Sequence, residues 1–173
     1  MKKGILIISS FLMLFSASVK SQELSIYGNT LSGIMTENSF AGGKRGISLG
    51  VNYLKPLKND FKWLAGAEFN SVSWGNNLAA NIGINYSEPI NNKWSWSINA
   101  LTQQGVALFK PAVLYSWGLS GTTAITFHLN AKSSFSLGTG LKYYSCPEYA
   151  KYSLISNYLD FPIEIRYNIQ LGK

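Results

Sequence analysis

From Leu159 to Leu171 apolar and polar residues alternate without a break. Leu159, Phe161, Ile163, Ile165, Tyr167, Ile169 and Leu171 share one parity, and Asp160, Pro162, Glu164, Arg166, Asn168 and Gln170 share the other. A helix, advancing about 100° per residue, would scatter both sets around its circumference, so only an extended strand separates them. Strands of soluble domains run to about 5–6 residues, whereas a tilted strand that crosses a bilayer needs about 9–11. The segment therefore predicts a membrane-crossing strand with one apolar and one polar face.

Lys2 and Lys3 precede an apolar run from Ile5 to Phe15, and small residues follow. That order predicts a secretory signal peptide over 1–21, cut between Ser21 and Gln22, ahead of a barrel domain over 22–173. A spanning helix needs about 20 apolar residues; this run is shorter, and Ser9 and Ser10 interrupt it. Loss of Lys2, Lys3 and Lys20 takes the 15 Lys/Arg to 12 against 8 Asp/Glu, so the net charge falls from +7 to +4. The remaining cations are dispersed and form no nucleic-acid footprint, while a residual positive charge suits anionic lipid headgroups. Cys146 is the one cysteine, so no internal disulfide forms, and its neighbours Pro147 and Tyr149 place it in a loop.

The same period recurs at Ile47–Tyr53, Phe61–Phe69, Leu78–Tyr86, Trp94–Ala100 and Phe135–Tyr143, after a less regular segment over about 24–34. Segments of about 10 residues with a period of two, parted by turn residues, are the signature of a transmembrane β-barrel. The polar parity is mostly Gly, Ser, Asn and Thr, small enough for a narrow lumen; a soluble sandwich would bury the apolar parity instead. The expected fold is all-β, an antiparallel up-and-down transmembrane barrel. Segments 111–119 and 123–131 read either as one long strand or as a hairpin at Ser120–Gly121. Val113, Tyr115, Trp117, Leu119, Ile125, Phe127 and Leu129 keep one parity throughout, which favours a single strand and eight in total over ten.

Eight strands place both termini at the inner end of the barrel. Short inner turns then fall at Lys55–Asp60, Pro89–Lys93 and Lys132–Ser134, and outer connections at 35–45, 73–77, 103–110 and 146–157. Tyr53, Phe61, Trp63, Tyr86, Trp94, Trp96, Phe127, Phe135 and Tyr167 cluster near the inner turns, as an interfacial aromatic girdle does.

Phe135–Tyr143 (FSLGTGLKY), a polar loop and Tyr158–Asn168 (YLDFPIEIRYN) resemble the terminal hairpin of small OmpA/OmpX-like and PorT-like outer-membrane barrels, and Tyr86–Trp94 (YSEPINNKW) resembles an inner turn of the same families. The resemblance implies the bacterial outer membrane, with outer-membrane lipid as solvent and the barrel-assembly machinery as a partner during biogenesis. Many such chains end in an aromatic residue; this sequence ends Leu171-Gly172-Lys173. The fold hosts many activities, so the resemblance selects none.

Asp160, Glu164 and Arg166 share the inward face of the last strand, and Lys62, Glu68 and Lys142 are predicted inward elsewhere. Six ionisable groups in a lumen that side chains nearly fill read as a self-neutralising network; the alternative is a constriction in a narrow ion-conducting pore. A third reading, a lipid-modifying enzyme like the outer-membrane lipid A deacylases, calls for a lipid-facing histidine with a serine two residues on. His128 is the only histidine, takes the inward parity, and is followed at that spacing by Asn130. No metal-ligand spacing appears, and no cofactor is expected. Inward Gly50, Gly66, Gly83, Gly138 and Gly140 read as relief of crowding, and Pro162 as a bulge or the limit of pairing near the outer end. The sequence thus predicts a non-enzymatic barrel whose outer loops meet an unidentified surface partner. Tyr149, Tyr152 and Tyr158, in and beside 146–157, are its candidate contacts.

Overall fold

In the computed structural model, which describes residues 22–31, 46–72, 75–109, 112–152 and 157–171, almost every segment is a strand. They are β1 (Glu23–Leu31), β2 (Gly46–Pro56), β3 (Phe61–Val72), β4 (Gly75–Pro89), β5 (Trp94–Phe109), β6 (Ala112–Asn130), β7 (Ser133–Ser145), β8 (Asn157–Asp160) and β9 (Ile163–Gln170), with a 3₁₀ segment at Pro147–Tyr152. Each strand from β1 to β7 pairs antiparallel with the next, and β9 pairs with both β7 and β1, which closes the sheet into a barrel.

β8 and β9 are two lengths of one eighth strand. Asp160 lies opposite Lys142 and Ile163 opposite Thr139, so the chain advances three residues on both sides of the gap. Pro162 interrupts the hydrogen bonds there without shifting the register, which is why the alternation from Leu159 runs on undisturbed. No bulge forms at Pro162. A register shift occurs instead between His128 and Asn130, at the inner end of the β6–β7 pair.

β6 is one unbroken strand of 19 residues, so the barrel has eight strands rather than ten. Two expected outer connections prove to be mostly strand. β5 runs through the segment predicted as a loop over 103–110, and β4 begins at Gly75 inside the segment predicted over 73–77. β5 includes Gly105. A Cβ there would lie 2.4 Å from the Leu78 carbonyl oxygen, so this glycine permits close strand approach rather than a turn. The signal peptide over 1–21 and the connection over 35–45 lie outside the described residues.

The inner turns are tight. Asn91 accepts through its side-chain oxygen from the backbone N–H groups of Lys93 and Trp94 at 2.9 and 3.0 Å. Asn130 does the same for Lys132 and Ser133 at 2.8 and 2.9 Å. In the third turn Asn59 takes a left-handed φ of 56°.

The apolar parity faces outward: Ile165 is 59 % exposed where neighbouring Glu164 is 4 %. Aromatic rings meet in pairs around the inner end: Tyr53–Trp63, Phe61–Tyr86, Tyr86–Trp96, Trp94–Phe127 and Phe135–Tyr167, with centroids 4.9 to 5.8 Å apart. Trp117 and Tyr143 pair at 5.3 Å towards the outer end. At about 3.3 Å per residue and a tilt near 40°, Tyr143 stands about 20 Å above Phe135, close to the height of a membrane-barrel apolar band.

Candidate functional site

An inverted interior is the consequence of that parity: the enclosed side chains are mainly Asn, Ser, Thr, Gln and charged residues, arranged in three levels. At mid-height Glu68 on β3 receives Lys142 Nζ from β7 on one carboxylate oxygen and the Tyr27 hydroxyl from β1 on the other, the latter at 2.7 Å. Lys142 also donates to Asn70 Oδ1 at 3.2 Å. Asn81 Nδ2 donates to Tyr27 Oη at 2.9 Å, and Gln103 Nε2 donates to Asn81 Oδ1 at 2.9 Å. The side chains of β1, β3, β4, β5 and β7 thus form one hydrogen-bonded cluster across the lumen. Gly50 makes room for it, since a Cβ there would lie 2.3 Å from Tyr27 Cζ.

Arg166 and Glu164 form a second pair, from Nε to Oε1, on β9 between β1 and β7. Arg166 Nη2 donates to Thr122 Oγ1 at 3.0 Å. Hydrogen bonding orients the Asn99 amide so that its oxygen accepts from both terminal guanidinium nitrogens, at 2.8 and 2.9 Å. With these partners the charges neutralise one another where water is scarce, and removing any one would strand its mate.

At the inner level Lys62 donates to Glu23 Oε2 at 2.8 Å, and Gln170 reaches the same oxygen at 3.1 Å. Asn168 donates to Ser134 and Ser136, and Ser95 Oγ lies 3.0 Å from His128 Nε2. These residues surround a polar cavity of about 90 Å³, large enough for a few waters. A wider mouth opens below it, lined by residues of the turns at 89–93 and 128–134.

The outer level is apolar. Tyr144 and Tyr158 face each other at 4.8 Å and pack with Ala107, Leu114 and Cys146. Asn157 holds the rim, accepting from Tyr143 at 3.2 Å and Ser145 at 2.6 Å. Asp160 is fully buried beneath and accepts from the Phe161 N–H at 2.8 Å.

Of the residues predicted inside, Glu68 meets Lys142 and Glu164 meets Arg166. Lys62 turns to a partner the sequence reading missed, Glu23. Tyr27 was missed too, although the outward parity of Leu24 and Ile26 already pointed it inward. Tyr158, expected at a contact loop, is instead part of the buried outer layer at 7 % exposure, because it shares the inward parity of Asp160. The side chains of Tyr149 and Tyr152 lie outside the described residues. Cys146 lies in the connection after β7, as expected, but has no exposed surface and belongs to the same layer. Ser95 gives His128 a hydroxyl neighbour, yet among the described residues no carboxylate hydrogen bonds the imidazole and no His/Cys/Asp/Glu group could hold a metal.

No known family and no curated protein matches this sequence. Among solved structures, neisserial surface protein A superimposes with a TM-score of 0.62 at 9 % identity, over 86 % of this chain and 96 % of that one. A de novo designed transmembrane β-barrel aligns with a TM-score of 0.38 at 11 % identity, over 85 % of this chain and 95 % of that one. The likeness to the neisserial protein is one of fold: a closed, antiparallel, eight-stranded barrel of the transmembrane type.

Proposed function

We propose that this chain is a bacterial outer-membrane barrel of the small OmpA/OmpX-like or PorT-like kind, a non-enzymatic anchor that presents its outer end to a partner or surface. The observation that carries the reading is the lumen, crossed at mid-height by the Glu68–Lys142 cluster and capped outside by Tyr144 and Tyr158. A barrel filled in this way has its outer rim left for recognition.

That rim is uneven. β5 and β6 continue well past Trp117, and Val113 stands about 35 Å above Phe127, so the hairpin tip projects roughly 10 Å beyond a 25 Å band. Its outward side chains include Leu108, Val113 and Tyr115, exposed by 45 %, 67 % and 54 %. An apolar tip above a membrane is a contact surface in search of a partner. The neisserial barrel that shares the fold is named a surface protein, which accords with this reading.

Fractionation of the expressed chain tests the location: it should sediment with outer membranes and migrate faster on gels before heating than after. A soluble protein whose mobility ignores heating would overturn the proposal. Deletion of 147–156, or Val113→Glu with Leu108→Glu, should spare insertion and abolish surface binding; binding retained in both would remove the outer rim from its role.

A further inference from the structure

The described cations of this barrel fall into two groups. Among the described residues Lys62, Lys142 and Arg166 are ion-paired inside and Lys151 pairs with Glu148 on the outer 3₁₀ segment. The other four, Lys55, Lys58, Lys93 and Lys132, make no ion pair and all sit at the three inner turns. Lys58, Lys93 and Lys132 are exposed and Lys55 half-buried. The same turns carry two carboxylates, Asp60 and Glu88, and Glu88 already accepts from the Tyr86 hydroxyl at 3.2 Å. Each inner turn therefore presents at least one lysine directly beneath the aromatic girdle, where rings sit at the base of the headgroup layer.

From this placement we infer that the inner rim is a binding surface for anionic phospholipid, its lysines meeting the phosphodiesters of the adjoining leaflet while the girdle rings hold the glycerol and upper acyl region. The interior ion pairs make the rim selective. Because the lumenal charges neutralise one another and the turns set only Asp60 and Glu88 against four lysines, a net positive charge is left at the rim for lipid phosphates. A flexible ammonium on a long apolar stem suits that interface, since the stem lies along the rings and the charge reaches water. Three separate turns spread the cations around the circumference, which favours several lipids over a single pocketed one. The inference rests on the membrane reading above.

Quenching of tryptophan by brominated lipid tests it in the full chain reconstituted into vesicles. Trp74→Phe with Trp117→Phe leaves Trp63, Trp94 and Trp96 as reporters at the inner girdle. Brominated phosphatidylglycerol should associate with them at least about fivefold more strongly than brominated phosphatidylcholine at low salt. The preference should vanish in 1 M salt and in the Lys58→Gln, Lys93→Gln, Lys132→Gln variant. Equal quenching by the two lipids overturns the inference, as does a preference that survives the triple substitution. So does the same preference at a lone Trp117 reporter near the outer end. If neither lipid quenches, the membrane reading itself fails.

Discussion

Glu68 on β3 and Lys142 on β7, 74 residues apart in sequence, meet inside the barrel as a buried ion pair. Their side chains are 4 % and 3 % exposed, so each charge depends on the other for the solvation that water would supply outside. Tyr27, Asn70 and, through Asn81, Gln103 complete the shell.

Lys142→Met should cost about 3–5 kcal/mol, because it leaves the Glu68 carboxylate buried without its countercharge. Adding Glu68→Gln should recover much of that loss. Urea unfolding in lipid, followed by heat-modifiable mobility, measures both, and a single substitution as mild as the double would contradict the pairing.

Gly50→Ala should cost about 1–3 kcal/mol, since the new methyl overlaps the Tyr27 ring. In a Tyr27→Leu background the same change should cost less. Equal costs in the two backgrounds would show that the ring is not what the glycine accommodates.

Ile163→Arg, in the middle of the apolar band, should destabilise by about 2–4 kcal/mol, and Val113→Arg, on the projecting tip, by about 0–1 kcal/mol. Their side chains are similarly exposed, at 57 % and 67 %, so only depth in the bilayer separates them. Unfolding titrations showing equal losses would refute the proposed membrane position.

Cys146 should resist a maleimide in the folded barrel and react at the rate of a free thiol in urea, because its side chain is closed beneath Tyr144 and Tyr158. Tyr158→Ala should speed the reaction several-fold without producing conductance steps in planar bilayers, since the Glu68–Lys142 cluster still crosses the lumen.

The alternation that made the fold legible is a local property. Parity read along β6 joined two segments into one strand, and parity from Leu159 to Leu171 held across Pro162 because the register does not slip there. Which charges meet across a lumen depends on the stagger of the strands, a property of the closed barrel that no single strand encodes. Hence the inward positions of Glu164 and Arg166 could be read along one strand, while the choice of Glu23 by Lys62 could not. Tyr158 is a different case. Its inward parity was visible beside Leu159, but its nearness to a loop pointed the other way, and the structure follows parity. Gly105, inside the segment expected to be a loop, is a related case, since a glycine that admits a neighbouring backbone looks in sequence like one that makes a turn.

The unequal staves give the molecule a compass bearing. β5 and β6 are 16 and 19 residues long, while the eighth strand, interrupted at Pro162, has 4 in β8 and 8 in β9, and the described part of β1 has 9. A body with one tall flank has no rotational equivalence about its axis, so a partner descending from outside would meet the ledge from one direction only. Neighbouring copies in a crowded membrane would likewise differ in what they show one another as they spin.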